Sequence, residues 1–256
     1  MTLVVPARAK LNLDLEVLGR NEDGFHEIRT QMQAVALHDL IEMTPADDTS
    51  LTATGLPVTL DKHNSILRAH QAMEHAGGRT LATHFHLHKR IPAGSGLGGA
   101  SSDAASTLRG LADLYALTFT GSDLAAIATA LGADVPFFLK GGTALAEGRG
   151  ERLTQVQSPA GPSWFAIAWP GIELLTVAVY RAWDEVKGDS PNQLTRAAVA
   201  TEPRLHDFAL LLGPGWQMTG SGSAFFLRCP SEDAAHRATA ELNGWTTVTH
   251  TVGAWA

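Results

Sequence analysis

A glycine- and serine-rich loop is the feature of this sequence whose residue types and spacing most directly indicate chemistry. The loop consists of Pro92, Ala93, Gly94, Ser95, Gly96, Leu97, Gly98, Gly99, Ala100, Ser101 and Ser102. Glycines let backbone N–H groups approach phosphate oxygens because no Cβ stands between them. A helix that starts at the end of such a loop adds further N–H groups and a favourable dipole. The loop therefore predicts a phosphate cradle, and the alternative is a flexible turn.

The spacing of Gly94, Gly96 and Gly99 fits G-x-G-x-x-G, which dinucleotide-binding folds and protein kinases share. A dinucleotide fold requires an acidic residue about 20 positions later, after a second parallel strand. Here Phe119-Thr120 occupy that place, between two predicted helices. The Val-Ala-Ile-Lys, His-Arg-Asp and Asp-Phe-Gly elements of protein kinases are absent from the sequence, as is a Walker Gly-Lys-Ser/Thr. With these elements absent, the loop and the helix start behind it are best described as an anion cradle.

A second small-residue turn, Thr219-Gly220-Ser221-Gly222-Ser223-Ala224, precedes the apolar run Phe225-Phe226-Leu227. Alone, such a turn usually has no function beyond connecting two strands. Together with the first loop, it could bring a second stretch of backbone to the phosphates from another domain.

The elements that must position these loops can be predicted from hydrophobic periodicity. Apolar residues alternate from Leu11 to Val17, which is typical of a strand with one buried face. Lys10 and Asn12 then share its open face. The Asp-Gly pair within Asn21–Gly24 predicts a tight turn that presents Phe25 at its exit.

The remaining pattern predicts alternating helices and strands. Asn64 to His75 has helical spacing and ends at a glycine pair. Thr83 to Ile91 is a half-buried strand that leads into the loop, and Ser101 or Ser102 can cap the helix behind it. Further predicted elements are a helix from Ser122 to Gly132, strands at Trp164–Trp169 and Leu174–Tyr180, helices near Ser190–Ala200 and Ser231–Leu242, and a strand at Thr246–Thr251.

Length and composition limit the architecture and the class of partner. The 256 residues exceed the usual size of one domain, and we predict two, residues 1–152 and 153–256. A net charge of −7 without a basic run disfavours nucleic acid and anionic membranes as partners. A single cysteine, Cys229, and an N-terminus without a signal-peptide pattern predict a cytoplasmic protein.

The motifs resemble those of the GHMP small-molecule kinases. Three motifs occur in the family's order: Pro6-Ala7-Arg8-Ala9-Lys10-Leu11-Asn12-Leu13, the loop 92–102, and the turn 219–224. The resemblance implies an α+β, two-domain GHMP kinase fold. It has an N-terminal ribosomal protein S5-like α/β domain and a C-terminal ferredoxin-like domain.

The resemblance also implies catalytic roles. Asp134, within Gly132-Ala133-Asp134-Val135-Pro136-Phe137-Phe138, is the expected general base, and Lys10 is its cationic partner. ATP is the phosphate donor. Mg²⁺ is expected to bridge the nucleotide phosphates near Ser101 or Ser102, without an assigned protein ligand. The alternative is that Asp134 caps a turn and Lys10 is a solvated strand residue.

Within the family, Gly19–Ile28 and Gly132–Phe138 are most similar to members that phosphorylate the 2-hydroxyl of a cytidine diphosphate-linked methylerythritol in the non-mevalonate isoprenoid pathway. Phe25 stands where those members usually have Tyr, which keeps an aromatic face for the base. The resemblance implies a small-molecule acceptor and a monomer or weak homodimer. The residues expected to bind the acceptor are Asn12, Phe25, His26, Thr176, Tyr180, Gly220 and Ser221.

Several of these residues have simpler alternative roles. Phe25 and Tyr180, expected to sandwich the cytosine with His26 at its polar edge, could be ordinary core aromatics. Asn64 could border the adenine or cap its own helix. Another small alcohol could replace the cytidine acceptor. Alternate histidines at His84, His86 and His88 could bind zinc, but we favour a polar strand face because no carboxylate or cysteine adjoins them in sequence.

Overall fold

The computed structural model describes residues 1–157, 161–189 and 191–255 and has an α+β fold with two sheets. The strands are β1 Leu3–Asn12, β2 Glu16–Arg20, β3 His26–Pro45, β4 Ser50–Gly55, β5 Thr83–Lys89, β6 Thr143–Gly148, β7 Arg152–Val156, β8 Trp164–Trp169, β9 Gln217–Met218, β10 Phe225–Cys229 and β11 Trp245–His250. The helices are α1 Ser65–Gly77, α2 Gly99–Leu114, α3 Gly121–Leu131, α4 Phe137–Lys140, α5 Thr176–Val186, α6 Thr195–Thr201, α7 Arg204–Leu212 and α8 Glu232–Thr239.

The long strand β3 organises the first sheet. Its C-terminal half pairs with β5, its N-terminal half pairs with β6 and β2, and β1 runs antiparallel along its middle and end. The order is β4-β5-β3-β6-β7, and β4 pairs with β5 in parallel. Lys10 and Asn12 lie at the end of β1, opposite Ala34 and Met32 of β3.

Helices α1, α2 and α3 pack on one another, and α2 also packs on β1 and β3. Phe85 and Leu87 of β5 are fully buried beneath them, whereas the alternate His84, His86 and His88 lie on the other face of the strand. The predicted strand before the glycine loop is thus confirmed. It delivers the chain directly to the loop and to the start of α2.

The second sheet has the order β11-β8-β10-β9, and every adjacent pair is antiparallel. Its chain order is strand, helices, two strands, helix, strand, which is a ferredoxin-like arrangement. The prediction of a ferredoxin-like C-terminal unit is confirmed. The turn between β9 and β10 is the second small-residue loop.

The two sheets share a hydrophobic core. Leu11 and Leu97 of the first unit pack in one cluster with Ile167 and Phe226 of the second. The chain after β11 returns to the first sheet, where Thr251 bridges to Val35 of β3. The strands of the first sheet lie within residues 3–156, and the domain boundary near Arg152 stays a proposal.

One predicted strand is wrong: Leu174–Tyr180 lies largely in helix α5. Val177 and Val179 alternate in sequence, but Val179 is buried together with Trp183, four residues later, while Val177 is exposed. Residues four positions apart lie on the same face of a helix, so their joint burial is typical of a helix. Helix α5 packs on α6, and this tertiary packing favours the helical conformation. The short alternation of apolar residues in the sequence does not reveal that packing.

Two predicted boundaries also change. The alternation from Leu11 to Val17 is interrupted after Asn12, because Leu15 bonds to the backbone of Pro191 and Gln193 rather than to β3. The helix expected near Ser190–Ala200 begins at Thr195, and Ser190 lies outside the described residues. No helix in the described ranges is long and apolar enough to span a bilayer.

The expected serine cap of α2 is also wrong. The N-cap residue is Gly98, in a left-handed conformation (φ +76°), and its carbonyl oxygen accepts a hydrogen bond from the amide of Ser102 at 2.9 Å. Ser101 and Ser102 therefore lie in the first turn. Their hydroxyl groups are not used to cap the helix.

Candidate active site

A cavity of about 730 Å³ lies where the two units meet. Its lining comes from both: the end of β1, the glycine loop and the start of α2 on one side, and the chain before and within α5 and the second small-residue loop on the other. Sequence-predicted residues in the lining are Lys10, Asn12, Asn64, Asp134, Thr176, Tyr180, Gly220, Ser221 and the loop residues Pro92–Gly96 and Gly98–Ser101. The fold thus collects most of the predicted site in one place.

The glycine loop packs tightly against the second small-residue loop. A Cβ on Gly96 would lie 2.3 Å from the carbonyl oxygen of Thr219, and the amide of Ala224 donates to the carbonyl oxygen of Ser95 at 2.9 Å. Gly96 also has a φ of +79°, which favours glycine. The glycines are therefore needed for the contact between the loops as well as for access to a ligand.

The first turn of α2 faces the cavity. By helix geometry, its first backbone N–H groups have no partner within the helix, so they can donate to an anion. Ser101 lines the cavity, and the buried Ser102 hydroxyl has no hydrogen-bond partner among the described residues. This arrangement can hold phosphate oxygens without a net positive charge on the protein.

Lys10 is the cation at the floor of the cavity and is only 3% exposed. Its Nζ donates to the carbonyl oxygen of Gly96 at 2.8 Å, contacts Oδ1 of Asn12, and lies 3.6 Å from Oδ2 of Asp134. Burial lowers the pKa of Lys10 below its ordinary value, and the Asp134 carboxylate partly offsets this effect. One ammonium group therefore joins the glycine loop to the candidate base.

Asn12 is fixed by contacts from both units. Its Nδ2 donates to Oγ1 of Thr30 at 2.8 Å, and its backbone N–H donates to Oγ1 of Thr219 at 2.9 Å. A Cβ on Gly220 would lie 3.0 Å from Asn12 Oδ1 and 3.1 Å from Lys10 Nζ. The second loop therefore reaches the same polar centre as β1.

Asp134 lies between α3 and α4 with about a third of its side chain exposed. Behind it, the ring of Phe138 packs against the glycine loop: a Cβ on Gly98 would lie 2.7 Å from that ring. On another side, the Cβ position of Gly150 is 3.5 Å from Asp134 Oδ1. A carboxylate with this exposure is accessible to a substrate hydroxyl and still close to Lys10.

His26 and Tyr180, predicted acceptor-binding residues, contact each other. Their rings stack with centroids 5.0 Å apart at 25°, and Trp183 meets His26 edge-on at 5.5 Å. Nε2 of His26 lies 2.7 Å from Oδ1 of Asp184. Burial raises the pKa of the Tyr180 hydroxyl, and the charge of Asp134 adds to that rise. One face of Tyr180 is therefore covered by His26.

Phe25 is 53% exposed at the exit of the predicted turn. The guanidinium carbon of Arg149 lies 3.7 Å from the centre of its ring, and Arg149 also forms an ion pair with Asp23. Arg149 and Tyr180 line the cavity, whereas Phe25 and His26 contact this lining from outside it, as far as the described residues show. Asn64 lines the cavity and also caps α1 through its Oδ1, so it fits both roles proposed for it.

Sequence reasoning missed several cavity residues. Arg149 stands between two glycines in Gly148-Arg149-Gly150, a local signal that could have identified it. Lys89 lies beneath the start of α2, with Nζ 2.6 Å from Asp39 Oδ2 and 2.8 Å from Asp103 Oδ2. Burial raises the pKa of Asp103 to about 7, against the opposing charge of Lys89. No sequence pattern links Lys89 with Asp39 and Asp103.

The alternate histidines of β5 are engaged with the neighbouring strand. His84, His86 and His88 each have a ring nitrogen within 3.0 Å of a hydroxyl oxygen, of Ser50, Thr52 and Thr54 respectively. His88 also bonds to Glu42 at 2.8 Å. The described residues show no cluster of three side chains arranged to hold a metal ion.

Comparisons with known proteins show which family this chain resembles in sequence and fold. The sequence profile of the GHMP kinases N terminal domain matches residues 64–142, which include the glycine loop and Asp134. A solved structure of 4-(cytidine 5'-diphospho)-2C-methyl-D-erythritol kinase is 36% identical, with a TM-score of 0.83 over 98% of this chain and 100% of the other. A homoserine kinase from Cytophaga hutchinsonii, 17% identical with a TM-score of 0.71 over 99% of this chain and 95% of the other, shares the fold.

Curated relatives include proteins named 4-diphosphocytidyl-2-C-methyl-D-erythritol kinase. The protein from Deinococcus radiodurans is 45% identical over 194 residues, 75% of this chain. The protein from Pelotomaculum thermopropionicum is 42% identical over 185 residues, 72% of this chain. Each of these matches spans 64% of the relative's own length. The protein from Aromatoleum aromaticum is 34% identical over 255 residues, covering 93% of this chain and 89% of the relative.

Proposed function

Because this chain belongs to the GHMP kinase family, in the group of 4-diphosphocytidyl-2-C-methyl-D-erythritol kinases, we propose that it transfers the γ-phosphoryl group of ATP to the 2-hydroxyl of 4-diphosphocytidyl-2-C-methyl-D-erythritol. The products are the 2-phosphate and ADP. The reaction belongs to the non-mevalonate pathway of isoprenoid precursor synthesis, and we place it in the cytoplasm.

One observation carries this proposal. Lys10 Nζ touches the glycine loop at 2.8 Å and lies 3.6 Å from the Asp134 carboxylate, inside a cavity that both units line. A phosphoryl transferase needs a place for the phosphates, a cation near the transferring group and a proton acceptor near the attacking hydroxyl. These three requirements meet at a single ammonium group.

The chemical step assigns a task to each residue. Asp134 accepts the proton of the 2-hydroxyl as its oxygen attacks the γ-phosphorus and the bond to the ADP oxygen breaks. Lys10 and the N–H groups at the start of α2 stabilise the charge on the phosphoryl oxygens. Asn12 holds Lys10 in place and offers a polar contact to the acceptor. Burial of Lys10 excludes water from the reacting group on that side.

Mg²⁺ is expected to arrive with the nucleotide and to neutralise part of the phosphate charge. The residues present fit such an ion, since it prefers oxygen ligands. The hydroxyl groups of Ser101 and Ser102 lie in the first turn of α2, and that of Ser102 is buried without a hydrogen-bond partner among the described residues. We therefore propose that these serine hydroxyl groups would contact the ion when it is bound, and we assign no carboxylate ligand.

Recognition of the acceptor is proposed to use the aromatic group beside the cavity. Cytosine would stack between Phe25 and Tyr180 and meet His26 at its polar edge. Because His26 already stacks on Tyr180, the base can stack there and meet the edge of His26 only if the imidazole ring shifts from that face. Arg149 contacts Phe25, so the base must use the other face of Phe25 or displace Arg149. Thr176 and Ser221, whose hydroxyl oxygens lie 3.0 Å apart, close the cavity on the acceptor side.

Phosphorus NMR of ATP, the cytidine diphosphate alcohol and the protein tests the function directly. We expect ADP and a new phosphomonoester on the acceptor to appear together. Phosphorylation of mevalonate or homoserine in parallel tubes, with the cytidine acceptor unchanged, would instead identify another small-alcohol kinase. Consumption of ATP without transfer to any of these alcohols would contradict the proposal.

A further inference from the structure

The chain between α5 and α6 contacts both the first unit and the second small-residue loop. Leu15, in the link between β1 and β2, donates its amide to the carbonyl oxygen of Pro191 at 2.8 Å and accepts from the amide of Gln193 at 2.9 Å. Asn192 lies between these two bonds and is only 4% exposed. The 191–193 segment is therefore held against the first unit, with Asn192 as the buried residue at its centre.

The Asn192 side chain makes three hydrogen bonds, all to backbone groups. Its Nδ2 donates to the carbonyl oxygens of Met218 and Gly220, each at 2.8 Å, and its Oδ1 accepts from the amide of Leu194 at 3.0 Å. An asparagine side chain has two N–H donors, so both are used. The amide group thus fixes the backbone on both sides of Thr219, where the second small-residue loop begins.

The beginning of this loop faces the polar centre of the site. Oγ1 of Thr219 accepts the backbone N–H of Asn12 at 2.9 Å. The Cβ position of Gly220 is 3.0 Å from Asn12 Oδ1 and 3.1 Å from Lys10 Nζ. Gly220 therefore packs directly against these two side chains, and Asn192 bonds to its carbonyl oxygen.

We propose that Asn192 is a positioning residue for phosphoryl transfer: its two N–H groups hold the backbone at Gly220 against Lys10 and Asn12, which keeps the ammonium group beside the glycine loop and shielded from water. This inference rests on the proposed function and extends it. Asn192 is not among the described residues that line the cavity, so it acts on the site through the second small-residue loop.

Hydration of Lys10 gives a readout that is specific to this role. Burial has the largest effect on the pKa of Lys10 and lowers it, whereas the Asp134 carboxylate raises it. The second small-residue loop has no charged side chain, so its movement would admit water without removing a charge. The pKa of Lys10 should then rise, and its ammonium form should persist to higher pH. The other titratable residues of the cavity lining lie outside the loop and the 191–193 segment; they are His63, Lys89, Asp103, Arg149, Glu173 and Tyr180.

The experiment measures kcat and the pH profile of kcat/KM for Asn192→Leu, with ATP and the cytidine diphosphate alcohol. Leucine is close to asparagine in size but cannot donate to either carbonyl oxygen. We expect kcat to fall ~10–100-fold, because a small displacement of catalytic groups has an effect of this size. We also expect the alkaline limb of the profile to move to higher pH than in the wild type.

Gln193→Leu is the matched control. It removes a side-chain hydrogen bond of the same segment, in which Oε1 accepts from the amide of Val17 at 2.9 Å, and this bond does not reach the second small-residue loop. The control should keep the wild-type kcat and alkaline limb, even if its unfolding temperature falls. Asn192→Ser is the second variant if Asn192→Leu does not fold, since serine shortens the side chain without adding an apolar group.

Hydrogen exchange measured by mass spectrometry adds a readout that needs no turnover. The amide of Asn12, which bonds to Thr219, should exchange faster in the Asn192 variants, while α2 keeps its protection. An alkaline limb that does not move, or an equal loss of kcat in Gln193→Leu, would overturn the inference while the proposed function stands. Failure of the wild type to phosphorylate the cytidine acceptor would instead overturn the proposed function, and the inference with it.

Discussion

Replacement of Gly96 by alanine tests whether the contact between the two small-residue loops shapes the site. The added Cβ would lie 2.3 Å from the carbonyl oxygen of Thr219 and 3.0 Å from that of Gly222. Both are backbone atoms, so no side chain can rotate away. An ordinary contact begins near 3.4 Å, so the loops must separate by about 1 Å.

The expected loss in the free energy of unfolding is the sum of two contributions. An alanine held at a φ of +79° costs ~1–2 kcal/mol. Overpacking against backbone adds ~1–3 kcal/mol, so we expect the free energy of unfolding to fall by about 2–5 kcal/mol. The same shift moves the Gly96 carbonyl oxygen away from Lys10 Nζ, which it now meets at 2.8 Å. A misplacement of about 1 Å in a catalytic group lowers turnover ~100-fold.

The assay measures steady-state kinetics below the unfolding temperature, which thermal denaturation of each variant defines first. Gly121→Ala is the matched control, because nothing lies within 4 Å of its Cβ position and it begins helix α3. We expect the control to keep wild-type stability, kcat and KM for ATP. If Gly96→Ala behaves like the control, the loops do not define the geometry of the phosphate site.

Three further predictions concern charged residues. Asp134→Asn should lower kcat by about 10²–10⁴-fold with little change in ATP affinity measured by calorimetry, because only proton transfer is lost; near-normal turnover would remove Asp134 from the base role. Because burial lowers the pKa of Lys10 below 10.5, its ammonium is present at lower pH and is lost as the pH rises through the folded-state pKa. The pH profile of kcat/KM should therefore fall as the pH rises through a pKa below 10.5, and Lys10→Arg should remove that limb whatever its rate. Lys89→Met should lower the free energy of unfolding, measured in urea, by ~3–5 kcal/mol. The reason is that the buried carboxylates of Asp39 and Asp103 both lose the cation with which they form ion pairs. A loss under ~1 kcal/mol would contradict this.

Much of the site was predictable because its signals are local in sequence. The glycines of residues 94–99 indicate close backbone approach wherever they occur, and period-two alternation correctly identified the strand that carries the chain into the loop. The catalytic roles of Lys10 and Asp134 came from family motifs and remain proposals. That the two side chains lie 3.6 Å apart could not be read from their spacing of 124 positions in the chain.

The parts that sequence missed depend on contacts between distant segments. The ion pair of Asp23 with Arg149 joins residues 126 positions apart, and the bond between His26 and Asp184 spans 158 positions. Helix α5 was mistaken for a strand because its burial pattern is set by α6, which packs against it. The first pairing joins two turns of the first sheet and the second joins the two units, and no single stretch of sequence contains that information.

The central claim is that the backbone of residues 94–99 and the start of α2 hold the triphosphate so that its terminal group faces Lys10 and Asp134. A crystal structure with a non-hydrolysable ATP analogue and the cytidine acceptor measures this directly. We expect the γ-phosphate within hydrogen-bonding distance of Lys10 Nζ and of N–H groups of the loop, with the acceptor hydroxyl beside Asp134. A triphosphate bound away from the loop, or an acceptor hydroxyl on the far side of the cavity from Asp134, would contradict it.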